Sequence, residues 1–228
     1  MTGDDRIIDF IRSFYVDRDS RVLKAIEEEA VSGDVPIIRP ETRELLRILL
    51  KMKQPERILE VGTAIGFSSV FMGEHTPKTT RITTIENYPP RIERAKANLR
   101  MAGMEDRISL LEGDAADWLK KLGGPYDFIF MDAAKGQYIH FLPDAVRLLS
   151  EGGVLVSDNV LQDGDVINSR YGIRRRNHTI HARMREYLYA LTHSDLLDTV
   201  ILESGDGVAI SVKRGDPEAD PGQTGSLL

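Results

Sequence analysis

From Arg57 onward, short apolar runs alternate with longer amphipathic ones, and this alternation constrains the fold more than any other feature of the chain. RILEVG, RITTIE, RISLLEG, YDFIFMD and GVLVSD read as buried strands. SSVFMGEH, PRIERAKANLRMAG, DAADWLKKLGG and the stretch running to Leu149 read as the helices between them. Strands joined through helices pair in parallel by right-handed crossovers, which cover both faces of the sheet. After Asp158 the pattern changes to a loop and a helix from about 177 to 192. Two strands follow, LLDTVILE and GVAISVK, joined by the turn-forming SGDG.

The expected architecture is therefore α/β: a Rossmann-like, doubly wound, mostly parallel seven-stranded sheet with a C-terminal antiparallel hairpin. The first 50 residues read as capping helices: IIDFIRSFYV, then RVLKAIEEEAVSG stopping at Gly33, then a helix opened by Pro40. A chain of 228 residues buries one substantial core. The expected organisation is a single domain over 1–213, with a helical cap (1–55) and a core (56–213). Residues 214–228, rich in Gly, Pro and acid and without periodicity, are expected to be a disordered tail. The sequence contains no internal repeat.

Composition narrows the chemistry. There is no cysteine, which excludes disulfides, thiolate metal sites and cysteine nucleophiles, so any metal must sit on oxygen or imidazole. No apolar run reaches the roughly 20 residues needed to span a bilayer, and the opening MTGDDRIIDF lacks the order of a signal peptide. A cytoplasmic protein without a membrane partner is expected. The formal charge of −6 argues against a uniformly basic nucleic-acid binder but not against a local basic patch.

Ligands of open α/β sheets bind outside the carboxyl ends of the strands, so the residues after each apolar run carry the information. The first run ends in Glu60-Val61-Gly62-Thr63-Ala64-Ile65-Gly66-Phe67-Ser68, whose glycines permit a tight turn and close ligand approach at a helix N-terminus. The spacing is neither the dinucleotide G-x-G-x-x-G nor a P-loop. The second run ends in Glu86, 24 residues after Gly62, where an acid can take both ribose hydroxyls. The third ends in Gly113-Asp114-Ala115, placing a carboxylate where it can accept from an adenine amino group. The plainer reading of Glu86 and Asp114 is as helix caps or first-turn acids.

The fourth run delivers Asp132, and the fifth delivers Asp158 and Asn159. Two carboxylates and an amide carbonyl are hard donors suited to Mg²⁺ or Mn²⁺. Asp158 and Asn159 can also simply form a turn.

EVGTAIGFS, GDA, MDAAK and DNVL, in this order and spacing, resemble the metal-dependent catechol and caffeoyl-CoA O-methyltransferase family over roughly residues 38 to 213. The resemblance implies S-adenosylmethionine at Gly62, Ser68, Glu86, Asp114 and Ala115, with Glu60, Thr63, Gly113 and Asp132 completing the cofactor set. It also implies a metal on Asp132, Asp158 and Asn159, with Lys135 as catalytic base beside Asp132. The stretch around Ile38 resembles the segment that closes over the cofactor in relatives, and the family is expected to be homodimeric. An ordinary lysine has a pKa of about 10.4, so a base at this position needs a desolvated surround. The alternative for Lys135 is a surface lysine or a charge partner of Asp132. Ala133 and Ala134 replace the bulky His-Trp pair of animal catechol enzymes, and Gln162 stands where many relatives place tryptophan, so the site reads as open.

The stretch VINSRYGIRRRNHTIHARMR, residues 166–185, carries six arginines, two histidines and no acid. It resembles the bacterial tRNA 5-hydroxyuridine methyltransferases within the family. The expected substrate is thus a wobble 5-hydroxyuridine of tRNA, whose 5-hydroxyl and 4-carbonyl are adjacent oxygens, with Arg170, Arg174, Arg175, Arg176 and Arg183 contacting RNA. A small catechol-like metabolite is the alternative. His178 and His181, one helical turn apart, are expected to face solvent or a phosphate rather than a metal. Trp118 and Leu119 read as core or adenine-flanking packing, and Leu45, Leu46, Leu49 and Leu50 as a packed helix face.

Overall fold

The computed structural model describes residues 3–169, 174 and 177–215. Its strands are Arg57–Val61 (β1), Arg81–Glu86 (β2), Ile108–Glu112 (β3), Tyr126–Met131 (β4), Leu149–Asp158 (β5), Leu197–Leu202 (β6) and Val208–Lys213 (β7). They form one sheet in the order β3-β2-β1-β4-β5-β7-β6. The first five are mutually parallel, and β7 lies antiparallel between β5 and β6. Two reversals restore direction, so β6 points the same way as β5. The SGDG loop after β6 therefore opens at the carboxyl edge, beside every other strand-to-helix loop.

Among the described residues, eight α-helices accompany the sheet: Gly3–Arg12 (α1), Arg21–Ser32 (α2), Pro40–Lys53 (α3), Phe67–Glu74 (α4), Pro89–Met101 (α5), Ala115–Lys121 (α6), Tyr138–Leu148 (α7) and His178–Thr192 (α8). Successive side chains of a strand point to opposite faces, so each central strand feeds two cores. Leu59, Ile129, Met131 and Leu155 pack with Tyr138, Leu148, Met184 and Tyr187 on the α6–α8 side. Ile58, Phe128, Phe130 and Val156 pack with Leu23, Ile26, Leu46 and Phe71 on the α2–α4 side. Ser20 caps α2, its hydroxyl accepting the Leu23 N–H at 3.0 Å, and Pro40 opens α3.

Two boundaries differ from the sequence expectation. The first helix ends at Arg12 rather than running to Val16, and the Ser13 hydroxyl then bonds back to the Phe10 carbonyl at 2.6 Å. Ser competes in this way with continued helix. β5 begins at Leu149, five residues before Val154, and its register on β4 shifts between Tyr126 and Phe128. Gly152, at φ +64°, supplies the backbone freedom for that irregular start. Among the described residues, no helix is long and apolar enough to cross a membrane. Of the expected tail, all but Arg214 and Gly215 lies outside the described residues.

Candidate functional site

Strand register sets the site. Val61 is level with Ile85 and with Met131, and Met131 is level with Ser157, while Glu86 is level with Glu112. Gly62, Glu86, Gly113, Asp132 and Asp158 consequently emerge along one line of strand ends. The order reverses between β2 and β4 on either side of β1, which is where such sheets leave a crevice.

At Gly62, φ is +106° and an added Cβ would lie 2.0 Å from the Asp132 carbonyl oxygen, so only glycine fits. Ala64 follows in the left-handed region at φ +46°, an uncommon conformation for a residue with a Cβ. Glu86 holds it there. Its Oε2 accepts the Ala64 N–H at 2.9 Å, while Oε1 accepts the N–H groups of Asn87 at 3.0 Å and Tyr88 at 2.9 Å. Glu86 is thus anchored by three amides rather than serving as a helix cap, and it still lines the cavity. Thr63 is tied to Thr84 through their hydroxyls at 2.6 Å.

Glu60, expected at the cofactor, lies instead beneath the floor and is fully buried. Its Oε2 accepts from the Thr84 hydroxyl at 2.6 Å and from the Ser69 hydroxyl, while its Oε1 has no partner. Burial pushes its carboxyl up. Its role is to hold the loop and the start of α4 from below. Asp114 takes both readings. It caps α6, Oδ1 accepting the Ala116 N–H at 2.7 Å, and it lines the cavity with Gly113 and Ala115. A carboxylate has acceptor sites to spare after one N–H.

The ends of β4 and β5 bring two acids side by side. Asp132 lines the cavity, and burial, followed by the Asp158 charge, pushes its carboxyl up to about 7. Asp158 is buried and pushed up to about 6, again mainly by burial, although the Asn159 N–H at 2.8 Å and the Thr42 hydroxyl at 3.4 Å both donate to its Oδ1. Asn159 adopts φ +57°. The buried Tyr138 hydroxyl ties the two strand ends together, lying 3.1 Å from the carbonyl oxygens of Met131 and Asp158 and accepting the Ala133 N–H at 3.3 Å.

Lys135 stands in a short 3₁₀ turn, Lys135–Gln137, with a third of its side chain exposed, and its Nζ lies 3.2 Å from Asp206 Oδ2. The dry surround expected of it is replaced by an ion pair. Its partner is not Asp132 but the buried Asp206 of the SGDG loop.

These residues enclose one cavity of about 810 Å³. Gly62, Glu86 and Asp114 line one end, Asp132, Lys135, Asn159 and Asp206 the other, and Ile38 and Ser68 contribute wall. The volume falls within the range of small-molecule sites. The shape suits a nucleoside-bearing cofactor at the first end, where Gly62 keeps the floor free of side chains. At the second end, Asp132 and Asn159 line the cavity and Asp158 lies buried next to Asn159, residue types whose oxygens suit a hard divalent cation. Among the described residues, no group of three or more His, Cys, Asp or Glu side chains is placed to hold a metal ion.

Sequence reasoning missed Asp206, Thr42 and Tyr138. Asp206 reaches the site only through the direction of β6, which the pairing of β7 between β5 and β6 sets. The arginine-rich stretch divides. Arg170, Arg175 and Arg176 lie outside the described residues, and Arg174 is exposed. Arg183 donates to the Gly136 carbonyl at 3.1 Å beside Lys135, and Arg185 donates to the Val166 carbonyl at 2.9 Å. His181 corrects its expectation: it is buried, with Nε2 3.1 Å from the Asn168 carbonyl. It shares the inward stripe of α8 with Met184, Tyr187 and Leu191. Leu119 is core, and Trp118 packs against that core with Nε1 donating to the Glu112 carbonyl at 3.0 Å. Gln162 does not line the cavity.

A family model described as O-methyltransferase matches residues 13–214. A catechol O-methyltransferase of Niastella koreensis is 31% identical over 86% of this chain and 91% of its own length. A Staphylococcus aureus crystal structure, described as a candidate caffeoyl-CoA O-methyltransferase, superposes with a TM-score of 0.81 at 31% identity, covering 92% of this chain and 99% of the other. TomG of Streptomyces achromogenes, an O-methyltransferase of tomaymycin synthesis solved with SAM, shares the fold with a TM-score of 0.82 at 24% identity, covering 94% and 100%.

Proposed function

The chain belongs to the O-methyltransferase family, and we propose that it transfers the methyl group of S-adenosylmethionine to a hydroxyl adjacent to a second oxygen. The proposal includes a divalent cation, Mg²⁺ or Mn²⁺, on Asp132, Asp158 and Asn159. The observation that carries it is the single cavity with the Gly62–Glu86–Asp114 wall at one end and the Asp132–Asn159–Lys135 wall at the other.

When bound, the donor supplies an electrophilic methyl carbon on a cationic sulfur, and the cation supplies the charge that favours an ionised hydroxyl. The rest falls to the chain. Glu86 and Asp114 offer acceptors to ribose and adenine, and Gly62 leaves room for the donor against the Asp132 backbone. Asp132, Asp158 and Asn159, at the ends of β4 and β5, would supply hard oxygens to the cation. Lys135 takes the hydroxyl proton as the O–C bond forms, a role worth about 10²- to 10⁴-fold in rate. Alignment of the reacting oxygen behind the methyl carbon supplies the larger share.

For the substrate we propose a 5-hydroxyuridine of tRNA, methylated on its 5-oxygen in the cytoplasm. This reading is supported by the small Ala133 and Ala134 at the mouth, by exposed Arg174, and by Arg183 next to the Lys135 turn. A small catechol-like metabolite is favoured by a different observation: Arg185 and His181 are spent on internal carbonyls and are not offered to a phosphate. A homodimer accompanies either reading, because Ile7, Phe10, Ile11 and Phe14 present an exposed apolar stripe along and just beyond α1. One experiment tests the function: labelled methyl transfer to undermodified tRNA and to catechols, each with EDTA and with added Mg²⁺. Activity undiminished by EDTA removes the metal. Efficient transfer to catechols, with tRNA inert, removes the RNA substrate.

A further inference from the structure

The loop after β1 is pinned from two sides by side chains outside it. Glu86 accepts the Ala64 N–H on one side. On the other, the carbonyl of Ile65 accepts from the side-chain amide of Asn98, Nδ2 lying at 3.0 Å. Asn98 belongs to α5, is 4% exposed and does not line the cavity, so it acts on the loop and not on a ligand. The Ile65–Gly66 peptide is planar, so fixing its carbonyl also fixes the Gly66 N–H on the opposite edge, which donates to the Thr63 carbonyl at 2.8 Å. Gly66, at φ +88°, then opens α4. One buried amide thus holds the peptide at which the loop turns into its helix.

The orientation of that amide is dictated from the helical cap. The same Nδ2 donates at 2.8 Å to Glu29 Oε2 of α2. A carboxylate and a carbonyl only accept, so both demand the nitrogen end of the amide, and its two N–H groups match the two bonds. Arg94, four residues before Asn98 and so on the same face of α5, keeps the carboxylate in place. Its Nε donates to Glu29 Oε1 at 2.6 Å and its Nη2 to the Glu29 carbonyl at 3.2 Å. Burial opposes ionisation of Glu29, but the bonds from Arg94 and Asn98 outweigh it and hold the carboxyl below its ordinary range. The amide therefore cannot turn over without setting its oxygen against two acceptors.

Resting on the reading of the Gly62–Ser68 loop as the cofactor's seat, we propose that Asn98, oriented by Glu29, is a positioning residue that keeps this loop in its binding arrangement. The α2–α5 contact thereby sets the affinity for S-adenosylmethionine. Without the amide, the Ile65 carbonyl loses its donor and the loop divides between seated and unseated forms. The cofactor binds only the seated fraction, and its apparent affinity falls by that fraction. Its own contacts are untouched, so a chain saturated with it turns over normally.

The test compares Asn98→Asp with the exchanged pair, Asn98→Asp together with Glu29→Gln, in the full chain. Asn98→Asp removes both donors and sets two carboxylates side by side. It is expected to lower the thermal midpoint and to weaken calorimetric S-adenosylmethionine affinity by about tenfold, the result of leaving about a tenth of the loops seated. With the better methyl acceptor, cofactor KM should rise in step, while kcat at saturating cofactor stays within about twofold of the unmutated chain. In the exchanged pair the introduced glutamine donates to the introduced aspartate, which refastens α2 to α5 but leaves the Ile65 carbonyl without a donor. The midpoint should return and the affinity should not. This pair also serves if Asn98→Asp alone does not fold. Return of affinity together with the midpoint overturns the proposal, because Asn98 is then a fastener between two helices and nothing more. Normal affinity in either folded variant overturns it as well, and so does a loss in kcat with cofactor KM unchanged. An unmutated chain that does not bind S-adenosylmethionine overturns the cofactor reading itself, and this proposal with it.

Discussion

Glu86 Oε2 accepts the Ala64 N–H at 2.9 Å, so an acid at the end of one strand fixes a left-handed alanine in the loop after another. The same carboxylate lines the cavity, which couples the shape of the loop to ligand binding. Glu86→Ala should remove at once the three hydrogen bonds that the carboxylate accepts from backbone N–H groups. Hydrogen bonds to a charged group are worth about 1.5–3 kcal/mol each. Cofactor affinity is expected to fall by at least tenfold, with a lowered thermal midpoint. Glu86→Gln, which keeps acceptors for only part of the set, should fall in between. Calorimetry with S-adenosylmethionine checks both, and unchanged affinity in the Ala variant refutes the ribose assignment.

The two acids at the ends of β4 and β5 make stability depend on pH. Their folded values, about 7 for Asp132 and about 6 for Asp158, lie above the ordinary aspartate value of about 3.9. The folded state therefore binds more protons than the unfolded one between roughly pH 4 and 7, and linkage makes the metal-free protein less stable as pH rises through that window. Asp132→Asn should flatten the profile and raise the metal-free melting temperature at pH 8, with little effect at pH 4. Mg²⁺ should stabilise the unmutated chain more at pH 8 than at pH 5 and should not stabilise the variant comparably. Melting curves across pH with EDTA or Mg²⁺ decide this, and a metal-free midpoint that climbs steadily from pH 4 to 7 contradicts it.

Gly62 tolerates no side chain. With the Asp132 carbonyl 2.0 Å from the added Cβ, Gly62→Ala must push β1 and β4 apart at the wall of the cavity. Overpacking of this kind costs about 1–3 kcal/mol, and φ +106° adds strain. Denaturant titration should show that loss, and cofactor binding should fall below detection at micromolar protein. A Gly62→Ala protein that binds cofactor normally would mean the loop sits elsewhere in solution.

Tyr138 joins the ends of β4 and β5 through one hydroxyl. Tyr138→Phe leaves the ring packing intact but strands the carbonyls of Met131 and Asp158 and the amide of Ala133. An unsatisfied buried group costs about 1–3 kcal/mol. The expected outcome is a modest loss of stability together with weaker Mg²⁺ affinity, since the Asp132 and Asp158 backbones are no longer held at one height. Isothermal titration with Mg²⁺ is the check, and wild-type affinity would show that the two acids are placed without it.

The strand-end residues were legible in the sequence because register does the placing. Once five apolar runs are read as parallel strands, whatever follows each run must arrive at one edge, and Gly62, Glu86, Asp114, Asp132 and Asp158 need no further information. Asp206 was hidden because its edge depends on β7 inserting antiparallel between β5 and β6, a tertiary choice that leaves no local mark. Thr42 lies 116 residues from Asp158 and was hidden for the same reason. His181 was readable, since its spacing to Met184, Tyr187 and Leu191 is that of an inward stripe, but a polar residue beside arginines reads as surface. Glu60 was assigned to the cofactor through the family resemblance, whereas the structure buries it fully beneath the floor.

Because every working loop is gathered at the carboxyl edge, the opposite edge is left to plain returns from helix to strand. Gly103 and Gly123 occupy two of these returns, each with nothing within 4 Å of where a Cβ would stand. In a chain with no cysteine, Gly123→Cys gives a single attachment point for a dye or a surface on the far side of the sheet from the chemistry. The molecule comes with a handle that leaves its mouth free, so single enzymes can be tethered and watched while they turn over.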